Sequence, residues 1–391
     1  MKIKACLFFL LALFVLFASS CVVVDPAKSE QTSATADTSA ATFPIETEPQ
    51  TEPVTTPQLP QKPLWGEGDA QREAQAVLYA PKSGIVDVSE QSYTYSEMQE
   101  DLSLLARVYP SLFSYRSIGK SVAGRDIYVA VLGNPNAQKQ VVVSAAIHAR
   151  EYMTAMLTMK QLEFYLSHYS AGTYNGVPYA VLFENVCFYI VPMTNPDGVM
   201  LAQEGLSSLP ADLREVVQSI YANENGGYES IDLYLSHWKA NARGVDLNRN
   251  YDALWEEYDK ASRPQSAQYK GPSPASEPET QAMIGLIESL SNPVCTLCIH
   301  SQGEVLYWNC GQSDTERTLR FTQEIAERTG YYIVPTKNND ASLSDWCELK
   351  KNMISVTVET GNEPCPLPIG QFTAIWLANY DLLPLTARYF M

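Results

Sequence analysis

Gln140-Val-Val-Val-Ser-Ala-Ala-Ile147 is the segment that decides the fold, and His148-Ala-Arg-Glu151 follows it directly. A short run of mostly apolar residues that includes consecutive valines predicts a buried strand. From Glu151 to Tyr169, apolar residues recur with helical spacing, which predicts a helix after the strand. A histidine and a glutamate three residues apart turn toward one point if the backbone leaves the strand there. The segment therefore predicts a strand and a helix, with two chemically useful side chains at their junction.

Other short apolar runs alternate with helical patterns along the rest of the chain. The predicted elements are strands at Val186 to Val191, Val294 to Ile299 and Ile354 to Val358, a turn at Asn195-Pro-Asp-Gly198, and a helix at Pro278 to Leu290 with Ser276 as its cap. This alternation predicts an α/β fold, a single domain with a mixed, largely parallel central sheet flanked by helices. In such sheets, functional groups gather just beyond the carboxyl ends of the strands.

The composition indicates a domain with a substantial core and argues against nucleic acid as a partner. The chain has 391 residues, of which 46% are hydrophobic, enough for a substantial core. Its 27 Lys and Arg residues stand against 44 Asp and Glu residues, so the formal net charge is −17. A surface of this sign repels phosphate backbones, which argues against nucleic-acid binding.

The N-terminus has the pattern of an export signal. Lys2 and Lys4 precede an apolar run that ends near Ala18 and is short for a membrane span. The segment Ala18-Ser-Ser-Cys21 resembles a bacterial lipobox, which implies cleavage before Cys21 and attachment of lipid to its thiol. In the alternative interpretation, an ordinary signal peptide is cut nearby and Cys21 is incidental. We therefore expect a signal peptide over 1–20 and a lipoprotein on the extracellular face of a bacterial membrane.

A polar segment separates this leader from the rest of the chain. Between Asp25 and Pro63 the residues are mostly Thr, Ser, Ala, Pro, Glu and Gln. Such a composition buries too little apolar surface to offset the entropy of ordering. We therefore predict a lipid-anchored, disordered stalk over 21–72 and a catalytic domain over 73–391, with its core from Tyr93 onward.

The cysteines do not predict a disulfide scaffold. Of eight cysteines, six remain when Cys6 and Cys21 are set aside, which is few for a domain of this size. Cys295 and Cys298 have the spacing of a redox or zinc pair, but they lie in a predicted strand. Residues three apart on a strand point to opposite faces. We therefore expect two separate core cysteines.

Two of the four histidines, His148 and His300, each follow a predicted strand. With Glu151 they offer two imidazoles and one carboxylate. A catalytic zinc site has three such protein ligands and one open position. Taken alone, the spacing of His148 and Glu151 is also compatible with the start of a surface helix. The other histidines, His168 and His237, have no matching partners and are expected to be structural.

Several segments of the chain resemble the zinc carboxypeptidase family of carboxypeptidase A, and they occur in the family's order. These segments are His148 to Tyr152, Asn195 to Gly198, Gly244 to Asn250, Ser276 to Glu279, His300 to Glu304 and Thr357 to Thr360. The resemblance extends from Tyr93 to the C-terminus. It implies the carboxypeptidase-like fold, a zinc-dependent peptidase activity and one Zn²⁺ per chain, bound by His148, Glu151 and His300.

The same resemblance implies roles for further acidic residues. Asp246 matches the carboxylate that orients the first histidine, and Glu359 matches the general base. The alternative for Glu359 is an acid that caps a helix or turn. Glu277 and Glu279 are expected to serve the start of the helix predicted after Ser276.

Substrate binding is implied for a third group of residues. Asn248 and Arg249 match the pair that clasps the substrate's terminal carboxylate, a planar anion to which a guanidinium is suited. Arg150 matches a further substrate-binding arginine, with a loop ion pair as the competing interpretation. Lys239 lies near the place of the family's oxyanion-stabilising arginine, and Arg243 is the competing candidate.

Two departures from the family pattern concern specificity. The family has a tyrosine upstream of an Asp-Trp pair, but the matching position before Asp345-Trp346 is Lys337. Ser344, at the specificity position, is neither apolar nor acidic. The preferred terminal residue therefore stays open.

Several functions remain open at this point. The first is a metallocarboxypeptidase that hydrolyses peptide bonds next to a free C-terminal carboxylate, with Glu359 as general base. Bacterial members that cleave γ-D-glutamyl–diamino acid bonds in cell-wall peptides give the nearest alternative. A non-catalytic, zinc-containing surface protein would have no need of Glu359. The pair Asn248-Arg249 favours a peptidase over a desuccinylase-like amidohydrolase.

Overall fold

A computed structural model describes residues 84–224, 227–311, 315–335 and 340–391 of the chain. The signal peptide predicted for 1–20, the lipid attachment site at Cys21 and the stalk predicted for 21–72 lie outside these residues. The domain start predicted at residue 73 also lies outside them. Within the described ranges, no helix is both long and apolar enough to cross a bilayer.

An eight-stranded sheet forms the centre of the fold, and a separate two-stranded ribbon lies beside it. The strands are β1 (Phe113–Lys120), β2 (Asp126–Leu132), β3 (Lys139–Ala145), β4 (Thr173–Tyr174), β5 (Val177–Pro178), β6 (Val186–Val191), β7 (Pro293–His300), β8 (Val305–Tyr307), β9 (Tyr332–Ile333) and β10 (Ile354–Glu359). The order across the large sheet is β1-β2-β6-β3-β7-β10-β8-β9. Its central strands β6, β3, β7 and β10 are all parallel, and antiparallel pairs flank them. The predicted mixed, largely parallel sheet is confirmed.

Helices cover both faces of the sheet and connect its strands. They are α1 (Tyr95–Val108), α2 (Met153–Ser167), α3 (Tyr179–Asn185), α4 (Pro196–Glu204), α5 (Ala211–Glu224), α6 (Ile231–Ser236), α7 (Pro278–Ser289), α8 (Thr315–Thr329), α9 (Leu343–Lys351), α10 (Phe372–Asn379) and α11 (Leu382–Phe390). In β3, Val141 and Val143 pack into one core cluster and Val142 into another. Because both faces of a central parallel strand are covered, its sequence is apolar throughout rather than alternating.

The pair Cys295 and Cys298 in β7 follows the same alternation. Cys295 belongs to the core cluster on one face and Cys298 to the cluster on the other. Both are free, buried thiols, and burial raises the pKa of each well above its ordinary value. The prediction of two separate core cysteines is confirmed.

The chain leaves β3 earlier than the sequence predicts. The strand ends at Ala145, and Ala146 has a φ of +47°, in the left-handed region. That conformation costs a residue with a Cβ about 1–2 kcal/mol, and a hydrogen bond of 2.8 Å from the Ala146 N–H to Thr154 Oγ1 helps to hold it. A 3₁₀ turn over Ala149–Glu151 then leads into α2. This sharp exit supplies the departure from the strand that His148 and Glu151 need to face one point.

Two predictions about element ends were wrong. Asn195-Pro-Asp-Gly198 starts α4 and is not a free turn, because the Asn195 side chain accepts a hydrogen bond of 3.0 Å from the Gly198 N–H and Pro196 takes the first helical position. The residue before α7 is Glu277, and Ser276 does not cap that helix. Ser276 Oγ instead accepts from Asn250 Nδ2 at 2.9 Å, which ties it to the loop near the site.

Candidate metal centre

Three parallel strands bring the predicted catalytic residues to one edge of the sheet. His148 follows β3, His300 is the last residue of β7, and Glu359 is the last residue of β10. Strand β7 lies between the other two, and Glu359 is directly opposite His300 in the register. Because parallel strands end at the same edge, residues far apart in the sequence become neighbours there.

The loop after β3 is held from two sides. Asn195 Nδ2 donates to the Ile147 carbonyl at 3.2 Å, and the Arg150 N–H donates to the Trp238 carbonyl at 2.9 Å. These bonds come from segments that follow β6 and α6. They hold the backbone on both sides of His148.

The donor atoms of His148, Glu151 and His300 converge on one place. His148 Nδ1 lies 2.9 Å from Glu151 Oε1, and His300 Nδ1 lies 2.9 Å from Glu151 Oε2. One ligand atom from each residue falls within 4.8 Å of the others, and all three residues are buried. The Ser301 N–H also donates to Glu151 Oε2 at 3.2 Å. The structure therefore brings together the three residues that the sequence indicated as metal ligands.

Asp246 lies on the outer side of His148. Its Oδ1 is 3.3 Å from His148 Nε2, the ring nitrogen that faces away from Glu151. The carboxylate also accepts the backbone N–H groups of Asn248 at 3.1 Å and Gln268 at 3.0 Å. A carboxylate on the far nitrogen fixes the tautomer and the ring orientation of a metal-binding histidine.

The electrostatic surroundings shift the pKa values of the two imidazoles in opposite directions. Burial lowers the pKa of His148, but the charges of Glu151 and Asp246 outweigh burial and raise that pKa to about 9. Burial lowers the pKa of His300 below its ordinary value, and Glu151 offsets only part of this effect. Burial raises the pKa of Glu151, but the two imidazoles outweigh it and hold that pKa well below the usual range.

These donors fit zinc. Two imidazole nitrogens and a carboxylate are ligands that zinc takes in catalytic sites, where a fourth position stays open. The three donors are gathered at one side, and the Asp246 carboxylate lies 3.3 Å from His148 Nε2, where a supporting carboxylate of such a histidine is expected.

Asn248 and Arg249 lie in a 3₁₀ turn that starts directly after Asp246, and each is 9% exposed. Asn248 Oδ1 accepts the Leu343 N–H at 3.2 Å, which directs its amide NH₂ group elsewhere. Arg249 Nε donates to Tyr258 Oη at 3.0 Å, and its Nη1 donates to the Asn248 carbonyl at 2.9 Å. The turn thus places a guanidinium and an amide beside the metal centre through Asp246.

The remaining cationic candidates for substrate binding differ in their burial and in their contacts. Arg150 Nε is buried without a hydrogen bond, and no ion pair of Arg150 is found among the described residues, so the loop ion pair is not found. Lys239 is 9% exposed and lies near enough to His300 to lower the pKa of that histidine. Arg243 is half exposed and contacts Glu277 Oε2 at 3.5 Å. Of the two candidates, Lys239 is the one whose charge acts on a residue of the centre.

The other acidic and histidine predictions had mixed outcomes. Glu279 accepts the Val122 N–H at 3.0 Å, and both Glu279 and Glu277 accept from Asn241 Nδ2, so their main contacts lie outside α7. Glu277 nevertheless is the N-cap residue of α7, without a side-chain cap bond, and Glu279 lies in the first turn, so the predicted service to the helix start is confirmed only in their positions. His168 and His237 directly follow α2 and α6, where the ring of each contacts a backbone carbonyl of the preceding helix.

Three residues near the centre were missed by the sequence reasoning. Tyr258 bonds to Arg249, Asp340 lies 3.6 Å from Arg249 Nη2, and Cys365 Sγ lies 3.4 Å from Ser301 Oγ. None of them is part of a segment with a recognisable pattern. Only their contacts in the fold identify them.

Comparison with known proteins agrees with this geometry. Residues 98–380 match the model of the zinc carboxypeptidase family. The chain belongs to that family. It is a zinc metallopeptidase with Zn²⁺ as its cofactor, and this confirms the resemblance seen in the sequence.

Individual relatives cover most of the chain. Uncharacterized protein YqgT of Bacillus subtilis is 31% identical over 299 residues, which are 75% of this chain and 77% of that protein. Gamma-D-glutamyl-L-diamino acid endopeptidase 1 of Lysinibacillus sphaericus is 32% identical over 291 residues, 73% of this chain and 70% of that protein. The crystal structure of carboxypeptidase A from Helicoverpa armigera superposes with a TM-score of 0.57 at 17% identity, covering 82% of this chain and 79% of that one. That last likeness shows the fold.

Removal of either imidazole should remove the metal. We expect His148→Ala and His300→Ala to lose the zinc that the wild type retains, because each leaves only two protein ligands. The measurement is zinc content per chain after dialysis of the purified proteins. His168→Ala is the matched control, since its ring contacts the Phe164 carbonyl and lies outside the centre. Stoichiometric zinc in both site variants would contradict the assignment.

Proposed function

We propose that the protein is a metallocarboxypeptidase that hydrolyses the peptide bond next to a residue with a free C-terminal carboxylate. The observation that carries this proposal is the placement of Asn248 and Arg249. They lie two and three residues after Asp246, in the turn that Asp246 starts, and Asp246 contacts His148. A carboxylate held by this pair leaves the preceding carbonyl near the three converging ligands.

His148, Glu151 and His300 are the residues that would hold the zinc. When bound, zinc acts as a Lewis acid that polarises a carbonyl oxygen and lowers the pKa of water. The protein's own residues then orient the reactants. Asp246 keeps the His148 ring in place through Nε2, and the backbone N–H of Ser301 keeps the Glu151 carboxylate in place.

Glu359 is proposed as the general base. It ends β10 opposite His300 in the register, and on its other side it pairs with Val305 of β8. A carboxylate at this position accepts a proton from water and passes it to the leaving nitrogen. Lys239, whose charge acts on His300, is suited to stabilise negative charge that develops on the carbonyl oxygen.

The terminal carboxylate is proposed to bind Arg249 and Asn248. The Asn248 amide NH₂ donates to no described residue, and the hydrogen bond that this side chain forms uses Oδ1. Arg249 is held in orientation by Tyr258 and by its neighbour's carbonyl. Arg150, with its buried unbonded Nε, is proposed as a further contact for substrate.

A variant of the base should separate catalysis from metal binding. We expect Glu359→Gln to keep its zinc and its fold but to lose activity by about 10²–10⁴-fold, the usual contribution of general acid–base catalysis. The measurement is kcat together with zinc content. Glu363→Gln, an exposed neighbour on the following loop, is the matched control. Near-normal turnover of Glu359→Gln would show that another residue takes the proton.

Matched substrates test the carboxylate clasp. We expect peptides with a free C-terminal carboxylate to be hydrolysed and their C-terminal amides to fail, because only the acid forms a charge-assisted contact with Arg249. Arg249→Ala should lower kcat/KM on the acid and narrow the difference between acid and amide. The measurement is paired kinetics on both forms of one peptide. Equal rates on acid and amide by the wild type would identify an endopeptidase or amidase instead.

A second candidate is the cleavage of γ-D-glutamyl–diamino acid bonds in cell-wall peptides. It is favoured by the 32% identity to the endopeptidase of Lysinibacillus sphaericus, whose name gives that activity. Incubation of the purified protein with plain peptides and with muropeptides, followed by mass analysis, separates the two candidates. Products from muropeptides alone would favour the second.

We also propose that the protein is a lipoprotein on the extracellular face of a bacterial membrane. The support is the lipobox-like segment that ends at Cys21. Cys21→Ala should abolish lipid labelling and membrane partitioning, whereas Cys6→Ala, inside the apolar run, should not. Unchanged partitioning of Cys21→Ala in detergent phase separation would argue for an ordinary signal peptide.

A further inference from the structure

A carboxylate of the protein itself lies beside the residues proposed to bind the substrate's carboxylate. Asp340 Oδ2 is 3.6 Å from Arg249 Nη2, and Asp340 Oδ1 is 4.0 Å from Lys260 Nζ. The Asp340 side chain is 17% exposed, the Arg249 side chain 11% and the Lys260 side chain 62%. Asp340 thus stands between a buried cation and a cation at the surface.

The backbone holds Asp340 at this place. Its N–H donates to Asp345 Oδ2 at 2.9 Å, and the same oxygen accepts the Ser342 N–H at the start of α9. Ala341, the next residue, packs in a small apolar cluster with Trp255 and Tyr258. The Tyr258 ring also lies 5.4 Å from the Arg249 guanidinium and 5.6 Å from Lys260 Nζ. One aromatic residue therefore links both cations, and it adds an apolar wall beside the charges.

The charges of this group are two positive and one negative. A terminal residue with an apolar side chain brings one carboxylate, which suits Arg249 but leaves Asp340 and Lys260 without a substrate partner. A lysine side chain adds an ammonium group, which suits Asp340. A diaminodicarboxylic acid adds both an ammonium group and a second carboxylate on one distal carbon. Asp340 and Lys260, 4.0 Å apart, present the complementary pair for such a distal group.

We propose that Asp340 is a specificity-determining residue that binds the side-chain ammonium of the substrate's terminal residue, and that Lys260 binds a second carboxylate next to that ammonium. The class of substrate is a peptide that ends in a diamino acid, best in a diaminodicarboxylic acid. This inference rests on the proposed function, since it requires the terminal α-carboxylate to lie at Arg249.

A purely structural role for Asp340 makes a different prediction. If it served only to neutralise Arg249, its removal would affect all free-acid substrates alike. A role in specificity predicts an effect that depends on the side chain of the substrate. The ratio of kcat/KM values between matched substrates separates the two roles, because a uniform loss cancels in it.

The experiment uses three substrates on one acyl group that the wild type hydrolyses, ending in norleucine, lysine or 2,6-diaminopimelate. Each step in this series adds one group, first the ammonium and then the second carboxylate. In the wild type the lysine to norleucine ratio of kcat/KM should be about 10–100, the factor that a charge-assisted hydrogen bond supplies. The diaminopimelate to lysine ratio should be smaller, about 2–5, because Lys260 is exposed to solvent.

Two substitutions should each reduce the substrate preference that one of these ratios measures. Asp340→Asn should bring the lysine to norleucine ratio close to one, and Lys260→Gln should lower only the diaminopimelate to lysine ratio. Asp252→Asn is the matched control, because this exposed acid pairs with Lys350 at 2.9 Å and should leave both ratios at their wild-type values.

A wild-type lysine to norleucine ratio near one would overturn the inference, and so would a wild-type ratio that persists in Asp340→Asn. The wild-type ratio alone suffices for refutation if Asp340→Asn does not fold. Hydrolysis of all free-acid substrates without discrimination would refute this inference and leave the proposed function intact. Failure on every free acid would refute the proposed function itself.

Discussion

The buried carboxylate of Glu151 is the group on which the arrangement of the centre depends. Glu151 is 2% exposed, and a carboxylate removed from water without partners is very costly. Its oxygens are met by the imidazoles of His148 and His300 and by the Ser301 N–H. These partners come from the ends of two neighbouring parallel strands. A shift of either strand by one residue would turn the histidine to the other face of the sheet and leave the charge unsatisfied.

Much of the sheet could be predicted because its central strands are buried on both faces. Such strands are short apolar runs with no alternation, and the boundaries predicted for Val186 to Val191 agree with β6. The ends of elements were harder to predict. Asn195-Pro-Asp-Gly198 has the composition of a turn, but the same residues also start helices. Which of the two forms depends on the side-chain bond from Asn195 to the Gly198 N–H, and composition does not show this bond.

The candidate site likewise has residues that local sequence patterns predicted and residues that they did not. His148 and His300 could be recognised because each stands at a strand end, where parallel topology gathers functional groups. Asp340 could not, because nothing in its local sequence relates it to Arg249. Its position depends on the loop before α9 and on the hydrogen bond from its N–H to Asp345. Local patterns therefore predicted the residues at the sheet edge, and tertiary contacts were needed for those on the surrounding loops.

A series of alternating charges leads from the centre to the surface. Asp246 lies between His148 and Arg249, and Arg249 lies between Asp246 and Asp340. Burial lowers the pKa of Arg249, but the charges of Asp246 and Asp340 outweigh burial and raise it above its ordinary value. The guanidinium is thus already balanced by carboxylates of the protein before any substrate binds.

This balance has a consequence for recognition. A substrate carboxylate that approaches Arg249 also approaches Asp340, and like charges at short range repel each other in a partly buried site. A substrate that brings its own cation to Asp340 removes that repulsion, whereas an uncharged side chain leaves it in place. Under the proposed binding of substrate at Arg249, the same carboxylate that stabilises Arg249 in the free protein would therefore disfavour simple terminal residues. Selection by repulsion of unsuitable substrates, together with attraction of suitable ones, is a common physical basis of specificity.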